Sequence, residues 1–211
     1  EDSNEEKLVA MLDCFVCSAH VIVYVGAGDP RTLESFRRLD RTRFNRVHWI
    51  CIDPISPPTQ RQNATVYNCM IKSVKDMIPY LEHGPDKEVA LIWDVRTDRE
   101  DYSDDEWEYV TRQRDELGEA VAMHCAKALG CALIKCRIPM NGATMQLATG
   151  LLLPQPYAGE DMYELRNFVL LKGCTIRARR RIPCASEQTV DLGDLRALVD
   201  CANGELFGRD L

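Results

Sequence analysis

The chain has 211 residues, of which 45% are hydrophobic and 28% are charged, and its formal net charge at pH 7 is −7. This composition predicts a single globular domain over 1–211 and excludes a disordered or fibrous protein. No run reaches about 18 apolar residues, so we expect no membrane-spanning helix. The negative charge excludes a protein that coats nucleic acid nonspecifically, so any contact with nucleic acid must be local.

Ten cysteines are spread along the chain, most of them in apolar or periodic segments rather than in loops. This distribution predicts reduced thiols instead of disulfides. Cys14 and Cys17 have the spacing of a zinc-binding pair, but no second pair lies near them in the sequence. We therefore interpret them as core thiols and expect no bound metal. The first residue is Glu1 and no secretory signal follows it, which suggests a domain excised from a longer protein.

Helices and strands are predicted to alternate along the chain. The spacing of apolar residues predicts helices at 7–18, 31–41, 72–82, 107–129 and 191–202. Short apolar or β-branched runs predict strands at 20–25, 47–52, 64–70, 88–93 and 131–136. Loops are expected at 54–63 and 96–108, frayed residues at 1–6, and a β-hairpin at 165–171 and 174–182.

Two residues are predicted to mark helix ends, namely Gly130 after the fourth helix and Asp191 as the N-cap of the last. The alternating order of elements predicts an α/β fold. Its central sheet should be mostly parallel with helices on both faces, and a C-terminal hairpin should add antiparallel strands.

Three features lie at the carboxyl ends of predicted strands, which is where open α/β sheets bind their ligands. Gly26 and Gly28 form a tight turn after the first strand, Asp53 ends the second strand and Asp94 ends the fourth. Glycines let the backbone approach a nucleotide-like ligand, and an acid at the end of the second strand can accept hydrogen bonds from ribose hydroxyls.

The glycine turn departs from the dinucleotide motif in a way that bears on the ligand. Arg31 replaces the third glycine, and Asp29 would repel a phosphate at the start of the following helix. S-adenosylmethionine (AdoMet) carries an adenosine but no phosphate and tolerates an acid there. The pattern therefore favours AdoMet, with a tight turn that binds no ligand as the alternative.

Six stretches of the sequence, in this order, resemble the poxvirus-type cap-specific mRNA 2′-O-methyltransferases, viral enzymes with a Lys-Asp-Lys-Glu tetrad. They are KLVAML (7–12), VIVYVGAGDP (21–30), WICID (49–53), LIWDVRTDR (91–99), LIKCRIP (133–139) and QPYAGEDMYELRNFVL (155–170). The last stretch is the most specific, because it combines Gln-Pro-aromatic-Ala with Glu-x-Arg. The resemblance implies a Rossmann-like AdoMet-dependent methyltransferase domain of viral origin.

By position, the resemblance implies a catalytic tetrad of Lys7, Asp94, Lys135 and Glu164. The implied reaction transfers a methyl group from AdoMet to the ribose 2′-hydroxyl of the first nucleotide of capped mRNA (cap-0 to cap-1) and leaves S-adenosylhomocysteine. The hydroxyl must lose a proton as the new bond forms. A lysine can accept it only if burial or a neighbouring cation lowers its pKa from about 10.4. We expect Lys135 to be this base or to steer the hydroxyl, with the other three residues as its tuning groups.

The resemblance also implies which residues contact the two ligands. AdoMet would be bound by Gly26, Ala27, Gly28, Asp53, Met70, Asp94 and Val95. RNA would be contacted by Arg96, Met140 and Arg166, and the basic run that follows adds Arg177, Arg179, Arg180 and Arg181 as candidate phosphate contacts. Met140 stands where the family has an aromatic ring that stacks on the cap guanine, so this mode of cap recognition is not expected here.

Two arginine-rich segments offer phosphate contacts on an otherwise acidic protein, one at 31–46 and one in the RARRR run at 177–181. The first segment is equally well interpreted as a solvated helix face. We expect capped RNA as the partner and neither DNA nor a membrane. Further domains of a viral capping or replication polyprotein are candidate partners, and the location would be the host cytoplasm or the virion.

Alternatives remain open at this stage. One is an RNA-binding or processivity subunit that retains the methyltransferase fold with weak or no catalysis. Another is an AdoMet-dependent enzyme that acts on a small metabolite. A nicotinamide oxidoreductase is disfavoured, because the third glycine of its binding motif is missing.

Overall fold

The structure is a computed structural model that describes residues 2–15, 17–28, 31–61, 63–84, 86–99, 102–155, 163–171 and 186–205. The helices in these ranges are α1 (Asp2–Cys14), α2 (Arg31–Leu39), α3 (Arg41–Arg46), α4 (Val74–Leu81), α5 (Asp104–His124) and α6 (Leu192–Glu205). The strands are β1 (Val21–Val25), β2 (His48–Ile52), β3 (Thr59–Arg61), β4 (Ala64–Tyr67), β5 (Val89–Trp93), β6 (Leu129–Arg137), β7 (Thr144–Ala148), β8 (Leu151–Pro154), β9 (Glu164–Leu170) and β10 (Glu187–Asp191).

Eight strands form one sheet in the order β3-β4-β2-β1-β5-β6-β9-β8. The five strands from β4 to β6 in this order are parallel, and β9 runs antiparallel to both β6 and β8. β7 and β10 form a separate antiparallel pair. The strand order reverses between β1 and β5, which is the switch point where such sheets bind ligands. The predicted Rossmann-like α/β fold is confirmed, whereas its extent as one domain over 1–211 stays a prediction.

Both faces of the sheet are covered by helices, because successive side chains of a strand point to opposite faces. On one face, α4 and α5 cover a cluster that includes Val21, Val23, Val25, Met77, Leu91 and Val121. On the other face, α1, α2 and α3 cover a cluster that includes Leu12, Phe15, Ile22, Tyr24, Phe36 and Trp49. Each fully buried apolar side chain contributes about 1.5–3 kcal/mol. These contacts hold α1 against the sheet near the ends of β5, β6 and β9.

The helix predicted at 107–129 is displaced toward the N-terminus. α5 begins at Asp104, inside the predicted acidic loop, and ends at His124, so Gly130 lies within β6 instead of ending the helix. A capping box explains the early start. The Ser103 side chain accepts a hydrogen bond from the Glu106 backbone N–H at 3.4 Å, and Glu106 accepts one from the Ser103 N–H at 3.0 Å.

The two N-terminal helical segments also differ from expectation. α1 includes residues 2–6, which were expected to be frayed, and ends at Cys14 rather than at 18. The helix predicted at 31–41 ends at Leu39, and a second helix, α3, follows it. The Asp40 carboxylate accepts the backbone N–H of Arg43 at 2.9 Å and so caps α3.

Short strands account for the remaining differences. β3 lies in the predicted loop at 54–63, and β7 and β8 lie in a segment for which the sequence predicts no element. The first half of the predicted hairpin is β9, whose antiparallel neighbours are β6 and β8, while 174–182 lie outside the described residues. The predicted cap of the last helix is confirmed, because Asp191 accepts the Asp194 N–H at 3.0 Å.

Candidate active site

Both the backbone conformation and the lack of space for a side chain require glycine in the turn after β1. Gly26 and Gly28 have φ angles of 78° and 59°, which lie in the left-handed region that favours glycine. A Cβ atom on Gly26 would lie 2.5 Å from the backbone oxygen of Asp94. The turn therefore packs backbone to backbone against the end of β5, and no other residue fits at position 26.

Asp53 connects the end of β2 to this turn. One carboxylate oxygen of Asp53 accepts the Gly28 N–H at 2.8 Å, and the other accepts the Ile55 N–H at 2.8 Å. Because each carboxylate oxygen has two lone-pair directions, both oxygens retain one for a further donor. The side chain thus fixes the turn and remains able to accept hydrogen bonds from a ligand.

A cleft of about 830 Å³ opens at the carboxyl ends of β1, β2 and β5. Its volume lies in the range of about 300–1,000 Å³ that is usual for cofactor sites. Six of the seven residues predicted to bind the cofactor line it, namely Gly26, Ala27, Gly28, Asp53, Met70 and Val95. Asp94 is the exception. It is fully buried and its carboxylate faces a different group of side chains.

The four residues of the predicted tetrad lie together beside this cleft. Lys7 Nζ is 2.9 Å from Glu164 Oε2, and Lys135 Nζ is 3.2 Å from Asp94 Oδ1. Lys135 Nζ also lies 3.7 Å from Glu164 Oε2, so that Glu164 is shared by both lysines. The four side chains come from α1, the end of β5, β6 and β9, and all are at most 5% exposed.

Arg166 is a fifth charged member of this cluster. Its guanidinium donates to Asp94 Oδ1 at 3.0 Å and to Glu164 Oε1 at 2.8 Å. Arg166 lies directly opposite Lys135 in the antiparallel pairing of β6 and β9, so two cations face each other and the carboxylates separate them. Arg166 is 2% exposed and paired with both carboxylates, so the contact with RNA that the sequence implies for it stays a prediction.

Sequence patterns did not indicate two further members of the cluster. The Gln155 side chain donates to the Lys7 backbone oxygen at 3.1 Å and accepts from Arg166 Nε at 2.5 Å. The Tyr24 hydroxyl lies 3.5 Å from Asp94 Oδ2. The only signal was indirect: Gln155 opens the most specific matching stretch, and Tyr24 is a polar-tipped residue within a buried strand.

Burial and paired charges compete in setting the protonation of the cluster. Burial alone would raise the pKa of Asp94, but the positive charges of Arg166 and Lys135 outweigh it and hold this pKa well below its usual range. The same competition, with Lys135 the strongest neighbour, lowers the pKa of Glu164 to about 2. Burial lowers the pKa of Lys7, against the attraction of Glu164. Both carboxylates are therefore charged at neutral pH.

The other residues predicted to contact RNA are distributed differently. Arg96 is exposed and lines the cleft. Met140 is 80% exposed on the loop after β6, and its backbone N–H donates to Glu108 at 3.0 Å. Arg177, Arg179, Arg180 and Arg181 lie outside the described residues.

Several arginines of the 31–46 segment are occupied within the protein. Arg37 pairs with Glu34 through two hydrogen bonds. Arg43 pairs with Asp13 at 2.9 Å and donates to backbone oxygens at the end of α1. These contacts favour the interpretation of this segment as a solvated helix surface that also anchors α1.

Neither a metal-ligand cluster nor a membrane-spanning helix is found in the described ranges. No three histidine, cysteine or acidic side chains there are grouped so that they could hold a metal ion. None of the described helices is both long and apolar enough to cross a membrane.

The sheet order and the cleft at the switch point define a Rossmann-like α/β domain, and a lysine–carboxylate cluster adjoins the cleft. All residues of the chain, 1–211, match the family described as Orbivirus VP4 core protein, and the chain belongs to this family.

Individual relatives agree with this assignment. The chain is 41% identical over 209 residues to core protein VP4 of bluetongue virus 2 (isolate USA), covering 99% of this chain and 32% of the relative. It is 40% identical over 206 residues to core protein VP4 of African horse sickness virus, covering 98% of this chain and 32% of the relative. The chain thus spans about a third of the length of these curated relatives.

A solved structure is also similar. It is that of bluetongue virus VP4, described as revealing "a multifunctional RNA-capping production-line", with a TM-score of 0.80 and 40% identity over 92% of this chain and 30% of that one. The viral origin implied by the sequence resemblance is confirmed. The family shown is the orbivirus VP4 family and not specifically the poxvirus-type family whose motifs the sequence resembles.

Proposed function

We propose that this chain transfers a methyl group from AdoMet to the ribose 2′-hydroxyl of the first nucleotide of capped RNA, converting cap-0 to cap-1. The observation that carries the proposal is the convergence of Lys7, Asp94, Lys135 and Glu164 into one ion-pair cluster beside the cleft. The solved relative is described as RNA-capping, which supports capped RNA as the substrate class.

The cleft suits AdoMet in its shape and in its polar groups. The Gly26–Gly28 turn allows close approach to the backbone, and Asp53 has a free lone pair on each carboxylate oxygen for ribose hydroxyls. Met70, Ile71 and Val95 supply apolar walls. We propose that these residues bind the cofactor, which supplies an electrophilic methyl group on a positively charged sulfur.

The cluster supplies the chemistry of the acceptor. In this proposal, Lys135 Nζ either steers the 2′-oxygen into line as an ammonium ion or, as the neutral amine after releasing its own proton to solvent, takes the proton of the 2′-hydroxyl, while Asp94 and Glu164 hold the two lysine side chains in place. Lys7 pairs with Glu164, so that positive and negative side chains alternate through the cluster. Because Lys135 is 3% exposed, we expect RNA binding to displace the side chains that cover it.

Recognition of RNA is proposed to rest on a few local contacts, since the net charge of −7 repels the phosphate backbone at long range. Arg96, at the cleft, is the candidate contact among the described residues, and Arg177, Arg179, Arg180 and Arg181 remain candidates outside them. Met140 offers an exposed apolar contact on the loop after β6. As a member of a core protein family, the protein is proposed to act in the virion together with other domains of the same polypeptide.

One observation favours a second candidate function. Both lysines of the cluster are almost completely buried, as expected if the ion pairs have a structural role. In that case the chain would be an RNA-binding subunit that retains the fold with weak or no catalysis.

The two candidates predict different results in one assay. Purified protein is incubated with radiolabelled AdoMet and RNA that carries a methylated cap, an unmethylated cap or no cap, and nuclease digestion then maps the label. We expect label on the 2′-oxygen of the first nucleotide, with capped RNA preferred. RNA binding without label at that position would support the second candidate.

A further inference from the structure

The loop after β5 forms one wall of the cleft, with Val95, Arg96, Thr97 and Asp98 lining it. Two backbone oxygens of this loop accept hydrogen bonds from side chains of other elements. The Arg137 guanidinium donates to the Val95 oxygen at 2.9 Å, and Trp107 Nε1 donates to the Thr97 oxygen at 2.9 Å. Neither donor lines the cleft itself.

The two donors are connected to each other through α5. The guanidinium of Arg137 lies over the Trp107 ring, 5.9 Å from its centroid. Asp115, two turns after Trp107 on α5, accepts the Arg137 backbone N–H at 3.1 Å and lies 3.3 Å from Arg137 Nε. Trp107, Asp115 and Arg137 thus form one connected group behind the loop, which we call the loop support.

We infer that the loop support positions the cofactor-binding wall by fixing the Val95 and Thr97 carbonyl groups, and that its three residues thereby control cofactor affinity without contacting the cofactor. This inference rests on the proposed function. It assigns a role to charged and aromatic residues that lie outside both the tetrad and the cleft.

The charge state of Asp115 makes the loop support sensitive to pH. Burial raises the pKa of Asp115 to about 6, against the attraction of Arg137 and Lys135. Glu164 on β9 adds to this rise, and Glu119, the next acid along the buried side of α5, lies near enough for Asp115 to raise its pKa as well. Above pH 6 Asp115 is charged and pairs with Arg137, and as the pH falls through 6 the ion pair is lost.

The experiment measures binding of S-adenosylhomocysteine to the purified protein by calorimetry. Trp107→Phe keeps an aromatic side chain but replaces the indole by a smaller benzene ring without the N–H donor, so we expect roughly fivefold weaker binding. Arg137→Lys cannot reach Asp115 and the Val95 oxygen together, and we expect roughly tenfold weaker binding. The matched controls Tyr109→Phe and Arg112→Lys alter exposed side chains of α5 and should bind as the wild type does.

A pH series separates positioning from a general loss of stability. Wild-type affinity should fall between pH 7 and pH 5, and Asp115→Asn should bind weakly at both values, with a flattened pH dependence. Asp105→Asn, an exposed change on the same helix, should retain the wild-type profile. Hydrogen exchange should show faster exchange at amides 95–98 of Trp107→Phe, with the central strands unchanged.

The outcomes also distinguish this inference from the proposed function. Wild-type protein that binds no S-adenosylhomocysteine would contradict the proposed function. Wild-type protein that binds it, while Trp107→Phe binds equally well and exchanges equally slowly at 95–98, would overturn the role of the loop support alone.

Discussion

The ion-pair cluster and the cleft lie side by side but are built by opposite means. The cluster consists of long charged side chains from four elements, almost fully buried and satisfied by one another. The cleft forms around the glycine turn and the ends of three strands, is lined by apolar and polar side chains, and is open to solvent. Charge pairing therefore holds the first region together, whereas the backbone path of the glycine turn and the strand ends gives the second its place.

This difference has an energetic consequence. Removing one partner of a buried ion pair leaves an uncompensated charge and costs about 3–5 kcal/mol. In the cleft, we expect most side-chain changes to leave the fold intact and to alter the affinity for the proposed cofactor, with the tightly packed glycine turn as the exception. Variants of the two regions should therefore separate stability from binding.

The largest expected effect follows removal of Glu164. Glu164→Ala leaves Lys7, Lys135 and Arg166 with a single carboxylate, and we expect the free energy of unfolding to fall by about 3–5 kcal/mol. Chemical denaturation measures this. The control Glu116→Ala breaks an exposed pair on α5 and should change stability by about 0.5 kcal/mol or less. Similar values for the two variants would show that the cluster does not stabilise the fold.

Gly26→Ala tests the exception in the cleft. The added Cβ meets the Asp94 backbone and the positive φ is strained, so we expect a loss on the order of 3 kcal/mol in the free energy of unfolding. Gly84→Ala carries the same kind of φ strain at 83° in open space and should lose only about 1 kcal/mol. An equal loss in both variants would mean that the close approach of the turn to β5 is unimportant.

Acid should weaken the cluster in a defined direction. The pKa of Glu164 is lowered from 4.5 to about 2, so its contribution to stability is present above pH 4.5 and is lost as the pH falls toward 2. Between pH 7 and pH 3 we expect wild-type protein to lose about 2 kcal/mol more than Glu164→Gln does. Parallel stability profiles for the two proteins would show that Glu164 is not held in its charged form.

The smallest effect on stability is expected at Asp53. Asp53→Asn can accept the N–H of Gly28 or of Ile55 but not both on equivalent oxygens, so we expect S-adenosylhomocysteine to bind roughly tenfold more weakly. The free energy of unfolding should fall by about 1 kcal/mol. Asp86→Asn, at an exposed position, is the control. An unchanged dissociation constant would place the ribose elsewhere.

The cleft and the ion-pair cluster differ in how far the sequence predicted them. Asp53 and the glycine turn were predictable as parts of the cleft, because open α/β sheets bind ligands beyond the carboxyl ends of their strands. The members of the tetrad were indicated by the resemblance. Asp94 and Lys135 meet because β5 and β6 are parallel neighbours, whereas Glu164 is brought in by the antiparallel strand β9 and Lys7 by α1. The role of Arg166 was not predictable, since its pairing with Asp94 and Glu164 depends on the β6–β9 register that no local pattern reveals.

The predicted boundaries of helices were wrong where the hydrogen bonds of a helix cap outweighed the spacing of apolar residues. Ser103 and Glu106 cap the start of α5 inside an acidic segment that was expected to be a loop. Asp40 caps the start of α3, which the arginine-rich pattern did not indicate. The residue type of Gly130 predicts a helix end, but Gly130 follows Leu129 within the buried strand β6. Gln155 and the loop support depend on contacts between distant elements, which only the folded structure shows.

Lys135 tests the central claim most directly, in a single-turnover methyl-transfer assay with cap-0 RNA and labelled AdoMet. We predict that Lys135→Ala lowers the rate by roughly a hundredfold or more while S-adenosylhomocysteine binds with nearly wild-type affinity. The exposed change Lys127→Ala should leave both quantities unaltered. A Lys135→Ala protein that methylates the 2′-oxygen at the wild-type rate would contradict the account.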